Sequence, residues 1–343
     1  METYILDDDE VGRRFVAALL AKQAQGVQVN LIRDSAGAIS TPIALFDQLK
    51  KAGVQVLEFN PLNPLNPLKS RKAWELNQRD HRKLLIVDGS IAFLGGINIS
   101  SVYSGGSSRR HSADNPAWRD TDVQLQGPVV GELQKLFLAS WASQRGPALP
   151  QRAWFPPPVS GGHLVVRAIG SMPEERFSQI YATLLSAIEG AQTSVQITIA
   201  YFVPDPQLLA ALEAATARGV AVTLILPSQT DSWLVFHAGR SSYDRLLRAG
   251  VAIYERQGVV LHSKTMLIDG VWATVGSTNL DFRSFLHNHE LNVVVLGREF
   301  GQRLQVVIDA DLAASKRITL QAWRRRGPVR VKEWFARWWE YWL

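Results

Sequence analysis

Apolar positions along the chain change period in a regular order. Residues 1–8 alternate as a strand, residues 10–25 repeat their apolar positions with the spacing of an amphipathic helix that ends at Gly26, and residues 27–34 return to a strand. Residues 42–51 read as a helix ending before Gly53, and residues 54–59 as another strand. The second half repeats the order. A strand over 195–203 leads to a helix capped by Asp205-Pro206 that runs to Gly219, and a strand follows over 220–226. A helix over 242–248 ends at Gly250 and precedes a strand over 251–255. Strands alternating with helices predict an α/β fold whose sheets are covered on both faces.

The repetition extends to individual residues. Tyr4 matches Tyr201 and Gly53 matches Gly250, both at an offset of 197. Two polar strings stand out against this background. His81-Arg-Lys83-Leu-Leu-Ile-Val-Asp88-Gly is followed by Gly95-Gly96-Ile-Asn98, and His262-Ser-Lys264-Thr-Met-Leu-Ile-Asp269-Gly by Gly276-Ser277-Thr-Asn279. They lie 181 residues apart, so the first half carries about 16 extra residues just before its copy. Strand alternation puts each histidine on the same side as its lysine, which is a site for an anion. Asp88-Gly89 and Asp269-Gly270 have the composition of two-residue hairpin turns, so the two aspartates are expected to be structural, as are Gly95 and Gly276.

This spacing, H-x-K-x4-D then G-[GS]-x-N, resembles the phospholipase D superfamily in its two-motif form. Gln78-Arg-Asp-His81-Arg-Lys83, Gly95-Gly96-Ile-Asn98-Ile-Ser100, Trp118-Arg119-Asp120 and a tryptophan-rich C-terminus narrow the resemblance to bacterial cardiolipin synthases. The resemblance implies two similar α/β/α sandwich halves related by a pseudo-twofold, with mixed sheets and the active site at their interface. Residues 1–150 and 163–320 would be the halves, 151–162 a Pro/Gly linker and 321–343 a tail. Aligned on the second half, Met1 falls inside the first strand and nothing matches residues 176–190, so the first half is expected to look truncated, with an incomplete edge.

The resemblance also implies roles. An acidic residue after each motif pairs with an active-site histidine, and the carry-over falls on Asp120 and Glu290. Such a carboxylate fixes the imidazole tautomer and raises its pKa. Lys83, Lys264, Asn98, Asn279 and Ser277 would hold the phosphate oxygens. His81 is assigned as nucleophile and His262 as general acid and base, although the local sequences leave the two roles interchangeable. No cofactor or metal is implied. His111, His287 and His289 are expected to be structural.

Composition bears on the substrate. The 343 residues contain no cysteine and 46% hydrophobic residues, enough for one large or two ordinary domains without disulfides. No apolar run has the length of a membrane span, so any bilayer contact would be peripheral, expected at the cytoplasmic face of the bacterial inner membrane. Of the net charge of +6, four units belong to residues 321–343. There, helical spacing places Trp334, Trp338, Trp339 and Trp342 on one face with basic residues opposite, the pattern of an interfacial anchor for anionic lipid. A helix docked on the domain itself, or on a second subunit, is the other reading. Three Asn-Pro-Leu repeats over residues 60–68 suit a polyproline II ridge, packed on its domain or lining the site mouth. The expected partners are phosphatidylglycerol and a membrane surface, with no nucleic acid, and the oligomeric state is left open. The expected reaction is transfer of a phosphatidyl group between two phosphatidylglycerol molecules with release of glycerol. Alternatives are a hydrolase releasing phosphatidic acid, a nuclease of the same superfamily, and an inactive lipid-binding protein.

Overall fold

The computed structural model describes residues 1–62, 77–104, 116–158, 161–173, 177–324 and Glu333. Two sheets carry the architecture. The first runs in the order Gln55–Phe59, Asn30–Asp34, Glu2–Thr3, Leu84–Val87, Ile91–Gly95 and Asp122–Gln126. The second runs Ser315–Ile318, Ala252–Arg256, Ala221–Pro227, Ser194–Ile199, Lys264–Ile268, Trp272–Gly276 and Asn288–Leu296. Both have parallel pairs on one side of their shared order and antiparallel pairs on the other, so they are mixed sheets of the same topology. Helices flank them, giving two similar α/β/α halves as expected.

Local chemistry accounts for the boundaries. Asp9 caps the helix Glu10–Ala24 by accepting from Gly12 N, and Asp205 caps Pro206–Ala217 by accepting from Leu208 N with a proline in the first turn. Asp88 and Gly89 have φ of 50° and 63°, and Asp269 and Gly270 have 52° and 66°, the paired positive values of a tight hairpin turn. Asp269 does more than turn the chain. Its carboxylate accepts from the backbone N–H of Gln192, Thr193 and Ser194 at 2.7–2.9 Å, pinning the entry to the central strand. Burial pushes this carboxyl up, but those three bonds outweigh it and hold it at about 2.

Each half lends a short strand to the other. Arg79–Asp80 pairs in parallel with Asn288–His289, and Trp118–Arg119 pairs in parallel with Val260–Leu261. His81 N donates to His289 O at 3.0 Å and His262 N donates to Arg119 O at 2.8 Å, continuing each ladder by one residue. The strand Val165–Ser171 joins the second sheet along Asn288–Leu296, where Leu291 and Val293 enter the same core as Leu84, Leu133 and Phe137 of the first half.

Arg82 locks this junction. It points away from the histidine side of its strand, is fully buried, and donates to Glu290 O, Ser140 Oγ and Ser171 O at 3.0, 2.8 and 3.2 Å. Arg82→Leu strips these acceptors and leaves Asp80 without its neighbouring cation. It is expected to cost about 3–5 kcal/mol of stability, measured as a fall in the urea midpoint. An unchanged midpoint would show that the clamp is dispensable.

Two expectations change. The two-residue strand Glu2–Thr3 lies inside the first sheet, between Asn30–Asp34 and Leu84–Val87, so the position expected to form an edge is an internal one. The strand expected over residues 1–8 is also brief, because beyond Thr3 only Leu6 bridges, to Ile99. Most of the Asn-Pro-Leu segment, His111, and the tryptophans Trp334, Trp338, Trp339 and Trp342 lie outside the described residues.

Candidate active site

The two lent strands bring the repeated motifs together and cross their partners. His81 Nδ1 lies 3.0 and 3.2 Å from the two carboxylate oxygens of Glu290, which belongs to the second half. His262 Nδ1 lies 2.6 Å from Asp120 Oδ2, which belongs to the first. A carboxylate can only accept, so the Glu290 contact puts the proton on His81 Nδ1; His262 Nδ1 also lies 2.8 Å from Lys264 Nζ, and the shorter Asp120 contact favours the same tautomer there, with Nε2 presenting its lone pair. Tyrosines repeat the symmetry: the ring of Tyr4 stands edge-on to His81 with centroids 5.2 Å apart, and that of Tyr201 to His262 at 6.1 Å.

Burial dominates the electrostatics. It pushes both imidazoles down to about 4, with the carboxylates opposing the shift and the lysines reinforcing it. At neutral pH the histidines are therefore uncharged, and their contacts with Glu290 and Asp120 are hydrogen bonds and not ion pairs. Burial also brings Lys83 down to about 7, opposed first by Glu290, and Lys264 down to about 8, opposed first by Asp120. Lys83 Nζ donates to His81 O and Lys264 Nζ to His262 O, so each ammonium sits behind its own histidine.

The asparagines occupy equivalent places on one cavity of about 220 Å³, together with both histidines. Asn98 accepts from Ile5 N at 3.1 Å and donates to the Tyr103 hydroxyl at 3.1 Å. Asn279 Oδ1 is buried with no hydrogen-bond partner among the described residues. Ser277 departs from expectation: it is fully buried away from the cavity wall, donates its hydroxyl to Glu290 Oε2 and accepts from Leu291 N at 3.0 Å. It holds the carboxylate that holds His81, and its hydroxyl is not offered to a phosphate.

That contact explains why the first copy has Gly96 where the second has Ser277. Asp120 is one methylene shorter than Glu290, so its carboxyl group lies close over the backbone, where a Cβ on Gly96 would collide with it. Gly95 and Gly276 are similarly crowded, by Asp122 and Asn292 of the adjacent strand. Gly96→Ser, which would make the first copy match the second, is expected to push Asp120 from His262 and lower turnover by about 10²-fold with unchanged circular dichroism. Full activity in that variant would mean that the Asp120 contact is not needed.

Several cavity residues carry no motif. Trp118 packs on the His262 ring at 5.0 Å, and the Tyr103 hydroxyl lies 3.3 Å from His262 Nδ1. Asp231, Asn288 and Arg283 also line the cavity. Tyr4 and Tyr201 were visible as a matched pair in the sequence, whereas Asp231 sits in an ordinary polar loop with no such signal. His289 packs its ring against Phe59 at 4.7 Å, and burial first, then the nearby Arg82 charge, push it down to about 3. Among the described residues no group of three or more His, Asp or Glu could hold a metal ion, and no helix is long and apolar enough to cross a membrane.

A family model described as the PLD-like domain of cardiolipin synthase matches residues 1–107 and 184–312. A cardiolipin synthase of Geobacillus kaustophilus (strain HTA426) is 33% identical over 334 residues, covering 97% of this chain and 64% of the relative. A probable cardiolipin synthase of Bacillus subtilis (strain 168) is 34% identical over 343 residues, covering 98% and 66%. The chain thus spans just under two thirds of the length of these relatives. Among solved structures, the phosphatidylserine synthase of Haemophilus influenzae Rd KW20 superposes with a TM-score of 0.67 at 13% identity, over 98% of this chain and 89% of that one. At that identity the likeness is one of fold.

Proposed function

Given that this chain belongs to the cardiolipin synthase family of PLD-like domains, we propose that it transfers a phosphatidyl group from one phosphatidylglycerol to the glycerol hydroxyl of another. The observation that carries this reading is the crossed pair: two neutral imidazoles facing one cavity, each oriented by a carboxylate of the opposite half.

His81 Nε2 attacks phosphorus and the bond from phosphorus to the glycerol oxygen breaks. The departing oxygen takes a proton from His262, and glycerol leaves. His262 acquires that proton once the anionic phosphodiester is beside it, since the substrate's charge offsets the lysines that depress its pKa. In the second step His262 removes the proton from the incoming hydroxyl as that oxygen attacks phosphorus, and the bond to His81 breaks. Lys83 and Lys264 supply positive potential to the phosphoryl oxygens, with Asn98 and Asn279 as hydrogen-bond donors. Exclusion of water from the phosphohistidine separates transfer from hydrolysis. Phosphatidylglycerol places the enzyme on a membrane surface, and the basic, tryptophan-rich sequence at 331–343 supports a peripheral attachment to the cytoplasmic face of the bacterial inner membrane.

Phosphatidylglycerol vesicles incubated with the protein are expected to yield cardiolipin and glycerol in equal amounts, and to carry the protein down on sedimentation. Phosphatidic acid without cardiolipin would replace the transferase reading by a hydrolase, and protein left in the supernatant would contradict the membrane attachment.

A further inference from the structure

Among the cavity residues that the chemical step does not use are Arg79 and Arg283, which donate, and two that present acceptors, Asn288 and Asp231. Asn288 is buried, and its amide nitrogen donates to Glu290 Oε1 at 3.4 Å. That bond fixes the amide orientation and leaves Oδ1 on the other side, buried and without a hydrogen-bond partner among the described residues. Asp231 stands exposed at the cavity mouth. The Tyr201 hydroxyl donates to Asp231 Oδ1 at 2.6 Å and the Thr230 hydroxyl to the same oxygen at 3.1 Å, so among the described residues Oδ2 is left to face a ligand. The Tyr201 ring in turn stands against His262, the histidine that exchanges a proton with the alcohol.

An ionised phosphodiester cannot satisfy these two acceptors. It brings oxygens that only accept, and the Asp231 charge repels it. A buried amide oxygen without a donor is an unfavourable feature that a ligand bearing hydroxyl hydrogens removes. The required donors belong to the alcohol side of the reaction, where the headgroup leaves and its replacement enters. Space is consistent with this: at about 30 Å³ per water, the 220 Å³ cavity has room for a phosphodiester and a three-carbon polyol.

We propose that Asn288 Oδ1 and Asp231 Oδ2, the latter steadied by Tyr201, form an alcohol subsite that selects a polyol headgroup by accepting its hydroxyls. This rests on the phosphatidyl transfer reading above and adds the residues that choose the alcohol. The subsite explains how an anion-binding cavity tolerates a carboxylate at its mouth: Asp231 reads hydroxyls while the lysines and asparagines hold the phosphate.

The test offers the protein deuterated glycerol, 1-propanol and ethanolamine at equal concentration with phosphatidylglycerol vesicles, and mass spectrometry counts the labelled phosphatidylglycerol, phosphatidylpropanol and phosphatidylethanolamine formed. The native protein is expected to favour glycerol over 1-propanol by about tenfold or more, because a site built for hydroxyls rejects an alcohol lacking them. Asp231→Ala and Asn288→Leu should each lower that ratio by about tenfold, and Tyr201→Phe by less. Because the readout is a ratio of products from one mixture, a general loss of rate does not move it. A native ratio retained in both variants overturns the subsite, and so does a native preference for ethanolamine, which would mark Asp231 as an ammonium site. Phosphatidic acid as the native protein's single product would instead overturn the transfer reading itself, and the subsite with it.

Discussion

Replacing His81 with alanine is expected to reduce phosphatidyl turnover by at least about 10⁴-fold, because it removes the atom that forms the covalent bond to phosphorus. His262→Ala should lose as much with phosphatidylglycerol, whose glycerol oxygen is a poor leaving group and needs a proton. The two variants separate with a nitrophenyl phosphodiester, whose leaving group departs without acid. His262→Ala should then release one nitrophenol per enzyme in a burst and stall, while His81→Ala releases none. The reverse pattern would exchange the two roles, which the near-symmetric geometry alone permits: both rings donate Nδ1–H to a carboxylate and both are held near a pKa of 4.

Glu290→Gln is expected to cost on the order of 10²–10⁴-fold in kcat, because an amide can present either a donor or an acceptor to Nδ1 and no longer fixes the tautomer. A pH profile distinguishes this from simple misfolding. In the native free enzyme kcat/KM should fall as pH rises through about 7 and 8, where Lys83 and Lys264 lose their protons. The Glu290 charge is the largest influence raising the Lys83 pKa against burial. Without it the ammonium is lost at lower pH, so the alkaline limb should move down. A limb that stays in place would show that Lys83 is not electrostatically tied to Glu290.

How much of this was legible in the sequence depends on distance along the chain. The His-x-Lys strings, the Asp-Gly turns and the asparagines are local patterns, and the duplication made them conspicuous; the structure brings the histidines and asparagines of both copies to one cavity. Asp120 and Glu290 could be named from the family resemblance. Their crossing could not, because His81 and Glu290 are 209 residues apart and meet only through strands that each half lends to the other. Ser277 is expected at the phosphate from the resemblance, yet its hydroxyl is taken by the Glu290 carboxylate, a contact set by strand pairing and not by local spacing. The strand expected over residues 1–8 has the right alternation, but only Glu2–Thr3 pairs within the sheet, and beyond it Leu6 makes a single bridge to Ile99. Asp231 and Asn288 carried no sequence signal, since an isolated Asp in a Ser/Thr loop and an Asn beside a histidine acquire meaning only from the cavity they share.

The proposed covalent intermediate on His81, in a site built from both halves, is best sought by mixing His262→Ala protein with nitrophenyl-activated phosphatidyl substrate, stopping the reaction with denaturant at neutral to alkaline pH, and measuring intact and peptide masses. One phosphatidyl group per protein is expected, acid-labile, on the peptide containing His81, and none in His81→Ala. An adduct on the peptide containing His262, or burst turnover with no adduct at all, would contradict it.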